Sequence, residues 1–230
     1  MSTVSDAQMP TTGAAVAARV RAVGVMPAVR VAVADDALRA VDLLAEGGID
    51  VAEVTMNVPG AVRVIEQLAA RHGDRVCIGA GTVLDAATAR QCILAGARFV
   101  VSPALDVETV RLCRRYDVAV FPGALTPTEI LAAWEAGATA VKVFPCDALG
   151  GPRYLAAVGA PLPQVALLPM GGVTLDTAAS YLRAGAFALG VGSDLVSVTR
   201  LTDDGREIAE RARRYAALVA EVRSAEARAA

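Results

Sequence analysis

The sequence predicts an α/β protein, a single-domain (β/α)8 TIM barrel, on three observations. A helix-end glycine followed by an apolar strand recurs four times, and eight short apolar runs alternate with helical stretches. No G-x-G-x-x-G stands between a strand and a helix, which weakens the open dinucleotide-binding sheet as the rival arrangement. The recurring pattern is Gly47-Gly48-Ile49, Ala95-Gly96-Ala97, Ala136-Gly137-Ala138 and Ala184-Gly185-Ala186, where glycine just past a helix turns the chain. The glycines at 48, 96, 137 and 185 stand 48, 41 and 48 residues apart, too far for one strand-helix unit and right for two.

In chain order, residues 1–24 form an N-terminal segment, helical or partly disordered, in a position to cover the barrel's bottom. Residues 25–230 form the barrel with its closing helix. Strands are expected at 25–33, 51–56, 76–79, 99–102, 118–121, 140–144, 165–169 and 188–190. Asp35 or Asp36 is suited to cap the helix leading to Glu46, and Asp85 the one leading to Ala95. Thr126-Pro127-Thr128-Glu129 is a capping box with proline at the first helical position. In the last helix Ile208, Ala212, Tyr215, Val219 and Val222 share one face, with Glu207–Arg211 and Glu210–Arg214 pairs opposite.

Composition removes several classes of function. Net charge is -2 and no basic run or aromatic-basic cluster occurs, so a nucleic-acid partner is not expected. No uncharged apolar run approaches the ~20 residues of a membrane span, and the N-terminus lacks the basic-then-apolar order of a secretion signal. A cytoplasmic protein with no membrane partner is expected. Cys77, Cys92, Cys113 and Cys146 are widely spaced and read as buried small hydrophobes. The single histidine, His72, reads as a surface loop residue, so no metal site and no Ser-His-Asp triad is expected.

Chemistry concentrates on Lys142, the one lysine against 21 arginines, set in the apolar run Ala140-Val141-Lys142-Val143-Phe144. Unlike guanidinium, an amine can lose its proton, and apolar neighbours lower its pKa. Both are needed in a Schiff-base nucleophile. Strand alternation puts Lys142 with Ala140 and Phe144 on one face, and Glu53 with Val51 and Thr55 on one face of theirs. If both faces look into the barrel, the two charges either meet as a buried ion pair or serve a reaction. The turns Pro169-Met170-Gly171-Gly172 and Gly190-Val191-Gly192-Ser193 follow the seventh and eighth strands, where barrels commonly hold phosphate on backbone N–H groups.

With these residues in place, the stretch from about Val25 to Val196 resembles the class I 2-keto-3-deoxy-6-phosphogluconate and 6-phosphogalactonate aldolases, together with 4-hydroxy-2-oxoglutarate aldolase. The resemblance rests on Glu53-Val-Thr-Met, Ile78-Gly-Ala-Gly-Thr-Val-Leu84, Val101-Ser-Pro103, Phe121-Pro-Gly123, Lys142-Val-Phe-Pro145, Gly171-Gly-Val173 and Gly192-Ser193. It implies that Lys142 forms the Schiff base, Glu53 is the acid/base, and Thr82 and Phe144 line the pocket. It also implies that Gly171, Gly172, Gly192 and Ser193 cradle phosphate, that no metal or cofactor is needed, and that the protein is a homotrimer. The phosphogluconate enzymes usually carry a carboxylate-binding arginine where this chain has Asn57, followed by Val58-Pro59. Here the pattern is similar to the phosphogalactonate subgroup, with Arg30 on the first strand as the carboxylate clamp and Asn57 a further substrate contact; Met170, in place of threonine, leans the same way.

The reading is reversible cleavage of a 2-keto-3-deoxy-6-phospho sugar acid to pyruvate and glyceraldehyde 3-phosphate. Cleavage of 4-hydroxy-2-oxoglutarate to pyruvate and glyoxylate is one alternative. A phosphosugar isomerase or epimerase on a phosphate-binding barrel is another, and a phosphosugar-binding barrel without turnover a third.

Overall fold

The computed structural model describes residues 12–202 and 204–229. Its strands are β1 (Val25–Val29), β2 (Val51–Thr55), β3 (Cys77–Gly81), β4 (Phe99–Val101), β5 (Ala119–Phe121), β6 (Gly123–Ala124), β7 (Val141–Val143), β8 (Leu167–Pro169) and β9 (Leu189–Val191). The helices are α1 (Gly13–Val23), α2 (Ala34–Glu46), α3 (Ala61–His72), α4 (Ala86–Leu94), α5 (Val107–Arg115), α6 (Pro127–Glu135), α7 (Pro152–Gly159), α8 (Leu175–Arg183), α9 (Val198–Thr202) and α10 (Arg206–Ala229). Each expected strand position is occupied, and a further two-residue piece, β6, follows the fifth beyond its expected end. Of the N-terminal segment, residues 1–11 lie outside the described residues.

This is an α/β fold of parallel strands in two sheets, a six-stranded one ordered β5-β4-β3-β2-β1-β9 and a three-stranded one ordered β6-β7-β8. The expected single eight-stranded sheet is divided at two seams. Pro122 has no N–H and splits the fifth run into β5 and β6, although its carbonyl still accepts from Lys142 N–H at 2.9 Å. At the other seam β8 and β9 are joined by the Met170–Gly190 bridge and by Phe187 N–H donating to the Leu167 carbonyl at 2.7 Å.

Alternation sorts the strand side chains into two apolar clusters. Val25, Val29, Ala52, Val54, Val141 and Val143 pack outward against the helices. Met26, Val51, Phe99, Phe121, Ala140 and Leu168 pack on the opposite, inner side. Phe99 and Phe121 meet edge to face with centroids 5.8 Å apart, an arrangement worth about 0.5–1.5 kcal/mol beyond area burial. Helix α1 contributes Val16 and Val20 to the inner cluster. It is anchored at the N-terminal ends of β2 and β3 by Arg19, which pairs with Asp50 at 2.7 Å and donates to the Asp74 carbonyl at 3.0 Å.

Capping follows the sequence in two helices and departs from it in a third. Asp85 accepts from Thr88 N–H at 2.7 Å, and Thr126 with Glu129 forms the reciprocal capping box. Helix α2 begins two or three residues earlier than expected, with Val33 as its uncapped N-cap residue; Asp35 and Asp36 fall in its first turn, where the helix dipole favours them. His72 is the last residue of α3, not a loop residue, and its Nε2 lies 2.8 Å from Asp42 on α2. On α10 the five apolar residues are buried as expected. Its charges are arranged differently: Glu207 pairs with Arg200 at 2.7 Å and Arg211 with Asp194 at 2.6 Å, since partners in a neighbouring segment fix both groups better than the exposed helix face does. The four cysteines are buried and free, with burial pushing the Cys113 thiol up to about 12. Among the described residues no helix is long and apolar enough to cross a membrane.

Candidate active site

Lys142 occupies the middle of β7, paired in register with Gly123 on one side and Leu168 on the other. Its side chain is turned inward and is only 3% exposed, with Nζ 4.8 Å from the centroid of the Phe144 ring. Burial pulls its pKa below the usual lysine range; the Glu53 carboxylate opposes that shift and the Arg30 guanidinium adds to it. Glu53 holds the matching place on β2, between Ala28 and Gly79, and is 1% exposed. Burial raises its carboxyl above the ordinary value, with Lys142 and then Arg30 pulling it back.

Room for that carboxyl depends on Gly81, where an added Cβ would stand 2.7 Å from the Glu53 carboxyl carbon. Glu53 Oε2 is buried with no hydrogen-bond partner, and neither Lys142 nor Glu53 belongs to a salt bridge among the described residues. The two groups feel each other's charge without locking together as an ion pair. Each is pushed toward its neutral form: an amine that can give up its proton faces a carboxyl that can hold one.

Beside Lys142 opens a cavity of about 320 Å³, lined by Arg30, Phe144, Met170, Gly171, Gly172, Gly192 and Ser193 among others. Arg30 follows the end of β1, exposed at the mouth, its Nη2 3.5 Å from Thr82 Oγ1. Thr82 itself has φ +56°, a conformation that costs a β-branched residue about 1–3 kcal/mol. Flanking strands hold it there: the Gly81 carbonyl accepts from Met56 N–H at 2.8 Å, and Val83 N–H donates to the Val101 carbonyl at 3.1 Å.

At the far end, Gly171 (φ +89°) and Gly172 (φ +78°) turn the chain after β8. A Cβ on Gly172 would fall 2.2 Å from the Asp147 Cβ, so the turn demands glycine on both counts. Facing it, the Gly192 carbonyl accepts from Leu195 N–H and Val196 N–H, each at 3.0 Å, winding one tight turn after β9. Among the described residues, the N–H groups of Gly172, Val173, Ser193 and Asp194 donate no hydrogen bond to protein. Lys142 stands level with Leu168, three residues before Gly171, which puts its backbone about 10 Å along the strand from the glycine turn. That separation suits a short chain with a carbonyl at one end and an anion at the other.

The structure therefore gathers Lys142, Arg30, Phe144, Gly171, Gly172, Gly192 and Ser193 around one cavity, with Glu53 and Thr82 immediately behind its wall. Asn57 is not brought in: it lies exposed in the turn after β2, outside the cavity lining. Ala28, Val173, Thr174, Asp194 and Val196 line the cavity without having been singled out from the sequence. The one usable signal was Asp194, an acidic residue directly after a Gly-Ser turn. Among the described residues no cluster of three or more His, Cys, Asp or Glu side chains could hold a metal ion.

Residues 16–210 match the family model described as "Aldolase: KDPG and KHG aldolase". The chain is 35% identical over 192 residues to the 2-dehydro-3-deoxy-6-phosphogalactonate aldolase of Escherichia coli (strain K12), covering 83% of this chain and 90% of that protein. It is 38% identical over 167 residues to a 2-dehydro-3-deoxy-phosphogluconate aldolase of Haemophilus influenzae, covering 71% of this chain and 77% of the relative. Its fold is similar to a KDPG aldolase from Legionella pneumophila solved with pyruvate captured as a covalent carbinolamine intermediate. That match has a TM-score of 0.79 and 30% identity, with 86% of this chain and 96% of the other covered.

Proposed function

The chain belongs to the KDPG and KHG aldolase family, and from that premise we propose how this chain carries out the family's reaction. It is a class I aldolase that reversibly cleaves a 2-keto-3-deoxy-6-phospho sugar acid to pyruvate and glyceraldehyde 3-phosphate. The observation that carries the assignment of roles is the buried, unpaired Lys142 amine set beside the equally buried Glu53. Neutral Lys142 Nζ attacks the C2 carbonyl to give a carbinolamine, and loss of water gives the iminium ion. Glu53 supplies and removes the protons of those steps through a water, then takes the proton of the C4 hydroxyl. The C3–C4 bond breaks, its electron pair moves toward the iminium nitrogen, and the aldehyde leaves with C4 as its carbonyl carbon. The remaining enamine takes a proton at C3, and hydrolysis of the iminium frees pyruvate and the amine.

Arg30 at the mouth holds the substrate carboxylate, and Gly171, Gly172, Gly192 and Ser193 receive the phosphate on backbone N–H groups. Thr82 and Phe144 shape the pocket between them. Anchoring both ends holds the scissile bond in line with the iminium π-system. Arg30 lines the cavity and Asn57 does not, which favours the galactonate epimer as substrate. A two-base isomerase would need a free second carboxylate, and the one carboxylate lining the cavity, Asp194, is already bound by Tyr215 and Arg211.

The finer fold is a closed (β/α)8 barrel. Continuity of β5 with β6 across Pro122, and the Met170–Gly190 bridge between β8 and β9, support closure. A homotrimer acting in the cytoplasm completes the reading, with Val33, Leu84 and Leu94 supplying exposed apolar surface for subunit contacts.

Borohydride added with pyruvate should leave a reduced adduct on the peptide carrying Lys142, and Lys142→Arg should lose both adduct and turnover. No adduct on that peptide would overturn the Schiff-base assignment. Pyruvate release from the gluconate and galactonate epimers, assayed side by side, identifies the preferred substrate.

A further inference from the structure

The phosphate end of the cavity has a buttress that the reaction itself does not use. Asp194 lies on the cavity wall, and its carboxylate oxygen Oδ2 accepts from Tyr215 O–H at 2.5 Å and from Leu175 N–H at 3.3 Å. The same oxygen pairs with the Arg211 guanidinium at 2.6 Å. Arg211 Nε also donates to the Asp194 carbonyl at 2.6 Å, and Arg200 donates to the Ser193 carbonyl at 2.5 Å. Arg200 is held in turn by Glu207 at 2.7 Å. Tyr215, Arg211 and Glu207 belong to α10 and Arg200 to α9, whereas Leu175 opens α8. Asp194 is thereby tied to two helices and its neighbour Ser193 to a third.

This arrangement does two things. A trans peptide holds its C=O and N–H antiparallel, so turning the Ser193 carbonyl outward to Arg200 turns the Asp194 N–H inward. A bare carboxylate on the wall of an anion site would also repel the ligand, and Arg211 cancels that charge at contact distance. We infer that Asp194 is a positioning residue which fixes the Gly192–Val196 turn for phosphate binding, with Arg211 masking its charge. The inference rests on the phosphate reading above and deepens it: selectivity for a phosphorylated substrate depends on α9 and α10 as well as on the glycine turns.

Asp194→Ala should raise KM for the phosphorylated substrate, and the inhibition constant of inorganic phosphate with it, by about tenfold. Its rate of borohydride-trapped adduct formation with pyruvate should stay within about twofold of wild type, because pyruvate carries no phosphate. Asp194→Asn keeps an oxygen where all three donors meet and should recover most of the loss. Tyr215→Phe removes one donor and should move KM the same way by a smaller factor; it carries the test alone if Asp194→Ala does not fold. Equal losses in KM and in adduct formation, or an asparagine variant no better than alanine, would overturn the inference. Wild-type protein indifferent to inorganic phosphate would instead sink the phosphate reading, before any variant is compared.

Discussion

The floor of the cavity and its rim are built from different material. Lys142 on the floor and Glu53 just behind it project from the middle of β7 and β2, each locked by register to strands on both sides and each buried almost completely. At the rim, Gly171, Gly172, Gly192 and Ser193 offer backbone groups from turns beyond the strand ends, the second turn held in shape by side chains from α9 and α10. Proton chemistry needs particular side chains with shifted pKa values, and burial on a strand supplies the shift. Anion binding needs only several N–H groups aimed at one point, which a loop can provide if something stiff stands behind it.

Substitutions that act on one end alone separate the two. Glu53→Gln keeps the shape of the floor and removes its proton carrier, so kcat should fall by about 10²–10⁴ while KM and the melting temperature change little. A single-turnover assay that placed the loss in substrate binding would blur the division. Gly172→Ala attacks the rim. The added Cβ meets Asp147 at 2.2 Å in a residue at φ +78°, and the strain of about 1–3 kcal/mol should appear as a lower melting temperature and a raised KM. Adduct formation with pyruvate should be spared, and a loss there would mean that rim and floor are coupled.

Arg30→Gln removes the proposed carboxylate clamp and so should raise KM, and the smallest expected effect is the one this charge has on Lys142. Arg30 helps to hold the Lys142 pKa down, so removing its charge lets that pKa rise and leaves less neutral amine at any given pH. The limb of adduct formation that climbs with pH should therefore move to higher pH, as read by trapping rates across a pH series.

The same division explains what the sequence made legible. Period-two alternation carried Glu53 and Lys142 to the inner face, because a one-residue slip would have turned every apolar neighbour outward. The glycine turns were visible by residue type and by their place after the last strands. Asn57 was expected at the site by analogy and is exposed outside it, since β2 ends at Thr55 and the following turn leads away. The partners of Asp194 were hidden: Tyr215 and Arg211 were readable as one buried and one exposed position of a helix, but nothing local says which loop such a helix touches. The Glu207–Arg211 pair fell to the same cause, a tertiary partner outcompeting a neighbour one turn away. Strand existence is a local property; the seam at Pro122 could also have been seen, because proline cannot donate to a ladder.

Helix α1 gives the molecule a direction. With Val16 and Val20 packed into the inner cluster, the end of the strands opposite the cavity is filled by side chains. In the proposed reaction the fragment tethered to Lys142 is freed only by hydrolysis after C3–C4 cleavage, so the phosphorylated aldehyde departs first and pyruvate last. In the synthetic direction pyruvate must be admitted before its partner. Kinetically this is a compulsory-order scheme, in which pyruvate alone occupies the free enzyme and the aldehyde has nothing to react with until it does.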